Sequence, residues 1–213
     1  MTCEFDLDFL MGGTTREMHC KVPLLYEAGE AFLKMQMAAK KDGVCLKIIS
    51  GHRDFNHQNK LWAAKYKKFV APKLNDLIEN ILQYTALPGT SRHHWGTEID
   101  LVDGDLNLDD PLLTKNYING GPFYQMYDWL LDRAEQFNFY MTYPDDKKRT
   151  GFMFEPWHFS YQPLSKKCLD CFLSQNWVDC LDVKKIAGEK LLTAAYLKKY
   201  QCDYLLGINL KLL

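Results

Sequence analysis

The chain has 213 residues, of which 47% are hydrophobic and 25% charged, and its formal net charge is −1. This length is sufficient for one domain with a full core, and the composition is ordinary for a soluble globular protein. A near-neutral charge argues against a nucleic-acid-binding face, which normally carries a concentrated basic patch. No apolar run approaches the roughly 18 residues that a membrane span requires.

The hydrophobic pattern predicts both helices and strands in the first half of the chain. Apolar residues recur every three or four positions in the first predicted helix. The first predicted strand has an alternating pattern and contains β-branched residues. The helices are expected over 23–41, 55–69 and 72–84, and the strands over 45–50 and 98–102. The second and third helices are expected to flank a break at Ala71-Pro72.

The second half is predicted to begin with an irregular loop over 103–121, because this segment is rich in Asp, Asn and Gly. A helix is expected over 123–137, strands over 139–143 and 157–161, and mostly helical structure over 164–213.

This order of elements predicts an α+β fold with a small, mostly antiparallel central sheet flanked by helices. We expect a single domain over 1–213. Its catalytic core is expected at about 23–164, and residues 165–213 are expected to form a helical C-terminal extension without a catalytic motif.

The N-terminal residues and the cysteines bear on the compartment. The first residues are acidic and lack the basic and apolar regions of a signal peptide. The protein is therefore expected either in the cytoplasm or, if a signal has been removed, in the cell envelope or periplasm. Seven cysteines favour a reducing compartment. Cys168 and Cys171 form a C-x-x-C in a helix-like segment, where two packed thiols are favoured over a redox or zinc pair.

Three residues form a candidate metal site: His93, Asp100 and His158. Two imidazoles and one carboxylate, with a fourth position left for water, are the ligand set of a catalytic zinc ion. Side chains alternate along a flat strand, so Gly96 is expected to turn the chain between His93 and Asp100. Glu155, three positions before His158, is placed to accept a proton from the water. This pattern predicts a hydrolase with one zinc ion per chain.

Arg53, which directly follows the first predicted strand, is a second candidate catalytic residue. In a peptide hydrolase a fixed cation is needed where the carbonyl oxygen becomes an oxyanion. Gln58, one turn into the next helix, could bind the substrate backbone or its terminal carboxylate. The residues predicted to contact substrate are Gln58, Ser91, Ser50, Trp157 and Tyr161.

The remaining histidines are expected to have structural or surface roles rather than to bind metal: His19, His52, His57 and His94. His94 would point away from His93 on an extended chain. Glu98 is expected to be an exposed partner of the neighbouring loop rather than a second base.

These segments resemble the zinc metallopeptidases of the VanY-like D-alanyl-D-alanine carboxypeptidase family. The resemblance is carried by S-x-H-x-x-G-x-x-x-D at 91–100, E-x-x-H at 155–158 and S-G-x-R-x-x-x-x-Q at 50–58. That family is related to D-Ala-D-Ala dipeptidases, to lysostaphin-type enzymes and to the hedgehog domain. The resemblance extends over about 23–164 and implies the same zinc ligands, base and arginine. Position 98 is usually small in the family and is Glu98 here.

The resemblance also implies that the substrate is a peptidoglycan stem peptide or its precursor, from which the enzyme would remove the terminal D-alanine. A D,D-dipeptidase, an L,D-carboxypeptidase or an endopeptidase could use the same site with a different pocket shape. A non-catalytic zinc-containing binding module is the competing class, although such a module has no chemical need for Glu155 and Arg53. Nothing in the sequence indicates an obligate protein partner.

Overall fold

The computed structural model describes residues 3–69 and 73–213. Within these ranges the helices and strands are α1 (Leu7–Leu10), α2 (Tyr26–Lys41), β1 (Leu46–Ser50), α3 (Phe55–Lys68), α4 (Leu74–Leu82), β2 (Glu98–Asp103), α5 (Tyr124–Arg133), β3 (Phe139–Met141), β4 (His158–Tyr161), α6 (Gln162–Ser174), α7 (Trp177–Cys180) and α8 (Ala194–Tyr200). Short 3₁₀ turns join several of them.

The strands form one sheet in the order β1-β2-β4-β3, and each neighbouring pair is antiparallel. Helices pack around this sheet, so the predicted α+β class with a small antiparallel central sheet is confirmed. The two central strands, β2 and β4, are buried along nearly their whole length.

The register of β2 and β4 explains how the sheet separates core from site. Asp100 pairs directly with His158, and Ile99 pairs with Phe159. Successive side chains point to opposite faces of a strand. Asp100 and His158 therefore share one face, while Ile99 and Phe159 lie on the other face and belong to the hydrophobic core.

The predicted helices and strands are present with shifted ends. Helix α2 begins at Tyr26 rather than at residue 23, because the preceding Leu25 is extended and its N–H donates to the carbonyl of Gly96. The helix predicted over 123–137 is α5 followed by a 3₁₀ turn over Ala134–Phe137. The short helix α1 was not predicted, and the predicted break at Ala71-Pro72 lies outside the described residues.

The C-terminal residues pack against the sheet-bearing part of the chain. The indole of Trp62 on α3 donates to the carbonyl of Ala187, and the hydroxyl of Tyr200 on α8 contacts the hydroxyl of Thr90 at 2.9 Å. Throughout 3–69 and 73–213, no helix has both the length and the apolar character required to cross a membrane.

Candidate active site

A tight turn positions His93, the first candidate ligand, beside the sheet. Residues Arg92–Trp95 form a 3₁₀ turn that ends at Gly96, which has a φ of 65°. This left-handed conformation is accessible to glycine without steric cost. The chain then reverses into β2, as predicted, so that His93 on the turn and Asp100 on the strand face each other.

His93, Asp100 and His158 each offer one ligand atom, and these atoms lie within 4.8 Å of one another. His93 Nε2 is 3.5 Å from Asp100 Oδ2, and His158 Nδ1 is 3.7 Å from Asp100 Oδ1. All three residues are at most 5% exposed. The three residues predicted as ligands therefore converge in a protected position.

Two atoms of this cluster lack a partner that a buried polar atom normally has. His93 Nδ1 donates to the carbonyl of Gly51 at 2.7 Å, which leaves Nε2 as the free nitrogen. Within the described chain, neither His93 Nε2 nor Asp100 Oδ1 has a hydrogen-bond partner. Burial, and then the charge of Arg53, lower the pKa of His93 to about 4, so the ring is neutral near pH 7. A neutral imidazole and an ionised carboxylate suit a zinc ion.

His158 makes a contact through each ring nitrogen. Nδ1 lies on the side of Asp100 and is 2.9 Å from Glu155 Oε2, while Nε2 donates to Glu98 Oε2 at 3.0 Å. Burial disfavours charge on this ring, but the bonds to Glu155 and Glu98 outweigh burial and raise the pKa of His158 to about 10. The ring is thus held between two carboxylates.

Glu155 lies beside the metal cluster and is 5% exposed. Its backbone N–H donates to the carbonyl of Tyr143, which fixes the turn that leads into β4. Burial raises the pKa of Glu155, although the hydrogen bond and charge of His158 oppose this effect. A carboxylate with a raised pKa is a stronger proton acceptor, as a general base requires.

Arg53 is fixed next to the same cluster by its backbone. Its N–H donates to the carbonyl of His93, and its own carbonyl accepts from His94 Nδ1 at 2.6 Å. Burial lowers the pKa of Arg53, and the nearby charges of Asp100 and Glu155 oppose the shift. The guanidinium Nε has no partner among the described residues, so it is available to a ligand.

His94 has a structural role, in agreement with the sequence-based expectation. Besides its bond to Arg53, its Nε2 accepts from the N–H of Gly89 at 3.1 Å. Both ring nitrogens are therefore engaged by the backbone. Burial lowers its pKa to about 3, which keeps the ring neutral.

The candidate residues line a cavity of about 410 Å³. Of the residues predicted to contact substrate, Gln58, Ser91 and Trp157 line it, whereas Ser50 and Tyr161 lie outside its lining. The hydroxyl of Tyr161 instead donates to Glu27, because the strand alternation directs this side chain away from the cluster.

Gln58 is oriented by its amide. Nε2 donates to the carbonyl of Ala86 at 2.8 Å, and Oε1 has no partner within the described ranges. The free atom is a hydrogen-bond acceptor, which suits an N–H group of a substrate better than a carboxylate.

Lys65 is a cavity residue that sequence reasoning missed. Its ammonium group donates to the hydroxyl of Thr85, and both residues line the cavity. Burial lowers the pKa of Lys65, and the charge of Glu155 opposes the shift. The helical spacing from Gln58 was the available signal, because positions seven apart lie on one face of a helix.

Glu98 is not exposed, and the sequence-based expectation was wrong. Its side chain is 0% exposed and forms an ion pair of 3.1 Å with Arg92. Residues 98 and 100 share one face of β2, so the same alternation that directs Asp100 to the cluster also directs Glu98 towards the buried side.

The cysteine pair and the other histidines lie apart from this cavity. Cys168 and Cys171 are buried free thiols on α6, as expected for packed side chains. His19 Nε2 contacts Glu30 at 2.9 Å. Neither His52 nor His57 belongs to the metal cluster found among the described residues.

Comparison with known families gives one match that spans most of the chain. The VanY family, described as D-alanyl-D-alanine carboxypeptidase, matches residues 22–164.

Two curated relatives come from enterococci. The chain is 31% identical over 137 residues to a bifunctional D-Ala-D-Ala dipeptidase and carboxypeptidase, VanXYC, of Enterococcus gallinarum, covering 62% of this chain and 63% of the relative. It is 32% identical over 127 residues to a D-alanyl-D-alanine carboxypeptidase of Enterococcus faecalis, covering 58% of this chain and 42% of the relative. The chain thus spans less than two thirds of either relative.

Two solved structures share the fold. VanYB in complex with D-alanine-D-alanine has a TM-score of 0.57 at 20% identity, covering 85% of this chain and 92% of that one. A mutant of the D,D-pentapeptidase VanY in complex with Zn(II) has a TM-score of 0.55 at 23% identity, covering 71% and 80%.

Proposed function

Since the chain belongs to the VanY family of D-alanyl-D-alanine carboxypeptidases, a family of zinc peptidases, we propose that it removes the terminal D-alanine from peptidoglycan stem peptides. The observation that carries this proposal is the convergence of His93, Asp100 and His158 beside Glu155 in one cavity. The two unpartnered atoms of the cluster, His93 Nε2 and Asp100 Oδ1, support these three residues as the zinc ligands.

The chain's own residues supply the remaining chemistry. When bound, zinc supplies a Lewis acid that polarises a carbonyl group and lowers the pKa of water. Glu155 accepts the proton of the attacking water and delivers it to the leaving amine. Arg53 donates to the scissile carbonyl oxygen as negative charge develops there.

A carboxypeptidase must also recognise a free terminal carboxylate. Ser91 and Lys65 line the same cavity and offer a hydroxyl donor and a cation. Charge-assisted hydrogen bonds to a carboxylate are among the stronger polar contacts. We assign the terminal carboxylate to Lys65 and Ser91, and a substrate N–H to the free Oε1 of Gln58.

A non-catalytic binding module is disfavoured by the same geometry. Such a module would need the ligands alone, whereas here a base of raised pKa and a fixed cation lie beside them. Trp157 and Tyr84 add an aromatic wall to the cavity, with ring centroids 6.2 Å apart, which suits the binding of a peptide.

The test is the mass of the product from a stem pentapeptide that ends in D-Ala-D-Ala. We expect the loss of a single alanine. Amidation of the C-terminus should suppress cleavage, because it removes the charge that Lys65 is assigned to bind, and a terminal L-alanine should suppress it too.

Other products would change the assignment. Release of the dipeptide would indicate a D,D-dipeptidase, and cleavage within the stem of the amidated peptide would indicate an endopeptidase. Absence of any product from tri-, tetra- and pentapeptides with the zinc-loaded protein would contradict catalysis.

A further inference from the structure

Glu98 is a fully buried carboxylate that the catalytic scheme does not use. It lies on β2 two residues before Asp100, on the same face, and pairs across the strands with Ser160. A buried carboxylate is costly unless it is paired and hydrogen-bonded. The partners of Glu98 therefore indicate what it does.

The two oxygens of Glu98 have different partners. Oε1 accepts from the hydroxyls of Thr97 and Ser160 and from Arg92 at 3.1 Å. Oε2 accepts from Thr142 at 3.1 Å and from His158 Nε2 at 3.0 Å. Oε1 is thus bound by neighbouring side chains outside the metal cluster, and Oε2 contacts His158, a candidate zinc ligand.

The bond to His158 selects which nitrogen is free. A neutral imidazole has one N–H and one lone pair, and the partner of the N–H decides the tautomer. With Nε2 donating to Glu98, the lone pair lies on Nδ1, which is the nitrogen on the side of Asp100.

Arg92 balances the negative charge that the carboxylate of Glu98 adds beside the candidate metal site. It is 4% exposed, and its guanidinium also lies over the ring of Trp95, with its carbon atom 4.7 Å from the ring centroid. Glu98 and Arg92 thus form a buried ion pair directly behind the ligand.

We propose that Glu98 is a positioning residue that holds His158 with Nδ1 directed at the metal, and that Arg92 is its counter-charge. This proposal depends on His158 being a ligand, as the proposed function assigns. Carboxylates that bond to the second nitrogen of a ligating histidine orient the ring, and their loss typically weakens metal affinity about tenfold to a hundredfold.

The test is the zinc dissociation constant of Glu98→Gln, measured by competition with a chromophoric chelator. We expect binding that is weaker by about tenfold to a hundredfold. The matched control is Thr97→Val, which removes a donor to Oε1 and leaves the bond to His158 in place. Its affinity should stay within about threefold of the unaltered protein, because the ligand-orienting bond is intact.

A second readout separates positioning from a general loss of stability. The visible spectrum of the cobalt-substituted protein reports ligand geometry, so it should shift in Glu98→Gln and not in Thr97→Val. Circular dichroism would establish that each variant is folded. If Glu98→Gln does not fold, Glu98→Asp retains the charge beside Arg92 with a shorter reach, and the same loss of affinity is expected.

Two outcomes are distinguishable. If the unaltered protein binds no zinc, the proposed function fails. If the unaltered protein binds zinc and the folded Glu98 variant binds it equally tightly with an unchanged cobalt spectrum, the role of Glu98 alone is overturned.

Discussion

The three candidate ligands differ in the protonation state in which the protein holds them. The pKa of His93 is lowered to about 4, by burial and then by Arg53. Burial would raise the pKa of Asp100, but the proximity of His93 together with the charges of His158 and Arg53 outweighs burial, and the pKa falls to about 2. Both are ready to bind a metal near pH 7. His158, with a pKa raised to about 10, must first lose a proton.

Zinc binding to the chelator-treated protein is therefore expected to release close to one proton from pH 7 up to about pH 10. The apparent affinity should rise about tenfold for each pH unit in that window. Calorimetry in buffers of different ionisation enthalpy measures the proton directly. A binding enthalpy that is independent of the buffer would contradict the raised pKa.

The raised pKa of His158 also makes the stability of the folded protein depend on pH. The pKa of His158 is raised on folding, so its stabilising contribution is present below about pH 6.5 and is lost as pH rises towards 10. The free energy of unfolding of the metal-free protein should then fall across this window. If the free energy of unfolding does not change across this window, His158 is not protonated in the folded metal-free protein.

Arg53 and Lys65 are two cations with different assignments, and kinetics can separate them. Arg53→Ala should lower kcat by about a hundredfold to a thousandfold, because its contact forms as charge develops on the carbonyl oxygen. Arg53→Lys should restore activity only in part, since lysine lacks the planar fork.

Lys65→Met should instead raise KM by about tenfold to a hundredfold and leave kcat nearly unchanged, because a contact to the terminal carboxylate is made equally in the ground state. If Arg53→Ala instead raises KM alone and Lys65→Met lowers kcat, then Arg53 binds the terminal carboxylate and Lys65 contacts the carbonyl oxygen.

At the scale of the element, Gly96 connects the turn that carries His93 to the strand that carries Asp100. A Cβ at this position would lie 3.1 Å from Met18 Sδ and 3.2 Å from the backbone nitrogen of Leu25. Gly43 has a similar φ of 79°, but an added Cβ there meets no described atom within 4 Å.

Gly96→Ala should consequently destabilise the fold more than Gly43→Ala does. The control should lose about 1 kcal/mol from left-handed strain alone. Gly96→Ala should lose more, and it should also weaken zinc binding because His93 moves. Urea unfolding of both variants checks this. Equal losses would mean that the close approach to Leu25 does not constrain the turn.

The three candidate metal ligands could be proposed from the sequence because each lies in a short segment of characteristic residue types, and the structure brings the three side chains together. The burial of Glu98 could not, because it depends on the cross-strand pairing with Ser160 and on Arg92 reaching the same carboxylate. Lys65 was missed for a similar reason: a lysine on an amphipathic helix is normally solvated, and only the packing of α3 against Thr85 directs it into the cavity.

At the scale of the whole molecule, the C-terminal segment lies beyond the family match, which ends at residue 164. Its Tyr200 hydroxyl contacts the hydroxyl of Thr90 and accepts from the N–H of Leu87 at 3.3 Å. These contacts stabilise the loop just before the turn that carries His93. The sequence predicts that this segment is helical, but long-range contacts of this kind have no local signal.

Tyr200→Phe should lower the free energy of unfolding by about 1–3 kcal/mol, because it leaves the buried backbone N–H of Leu87 without an acceptor and removes the contact with the hydroxyl of Thr90. The matched control is Tyr204→Phe, which removes a 2.8 Å bond to Glu79 at the surface. That variant should lose at most about 1 kcal/mol. Thermal unfolding that ranks the two variants in the opposite order would show that Tyr200 does not support the site.

We propose that the protein is a zinc peptidase in which Glu155 is the general base and not a metal ligand. The most direct test compares the zinc content and the pentapeptide turnover of Glu155→Gln with those of the unaltered protein. We predict close to one zinc ion per chain in both proteins and a fall in turnover of at least about a hundredfold in the variant. Near-normal turnover, or loss of the zinc together with the activity, would contradict the account.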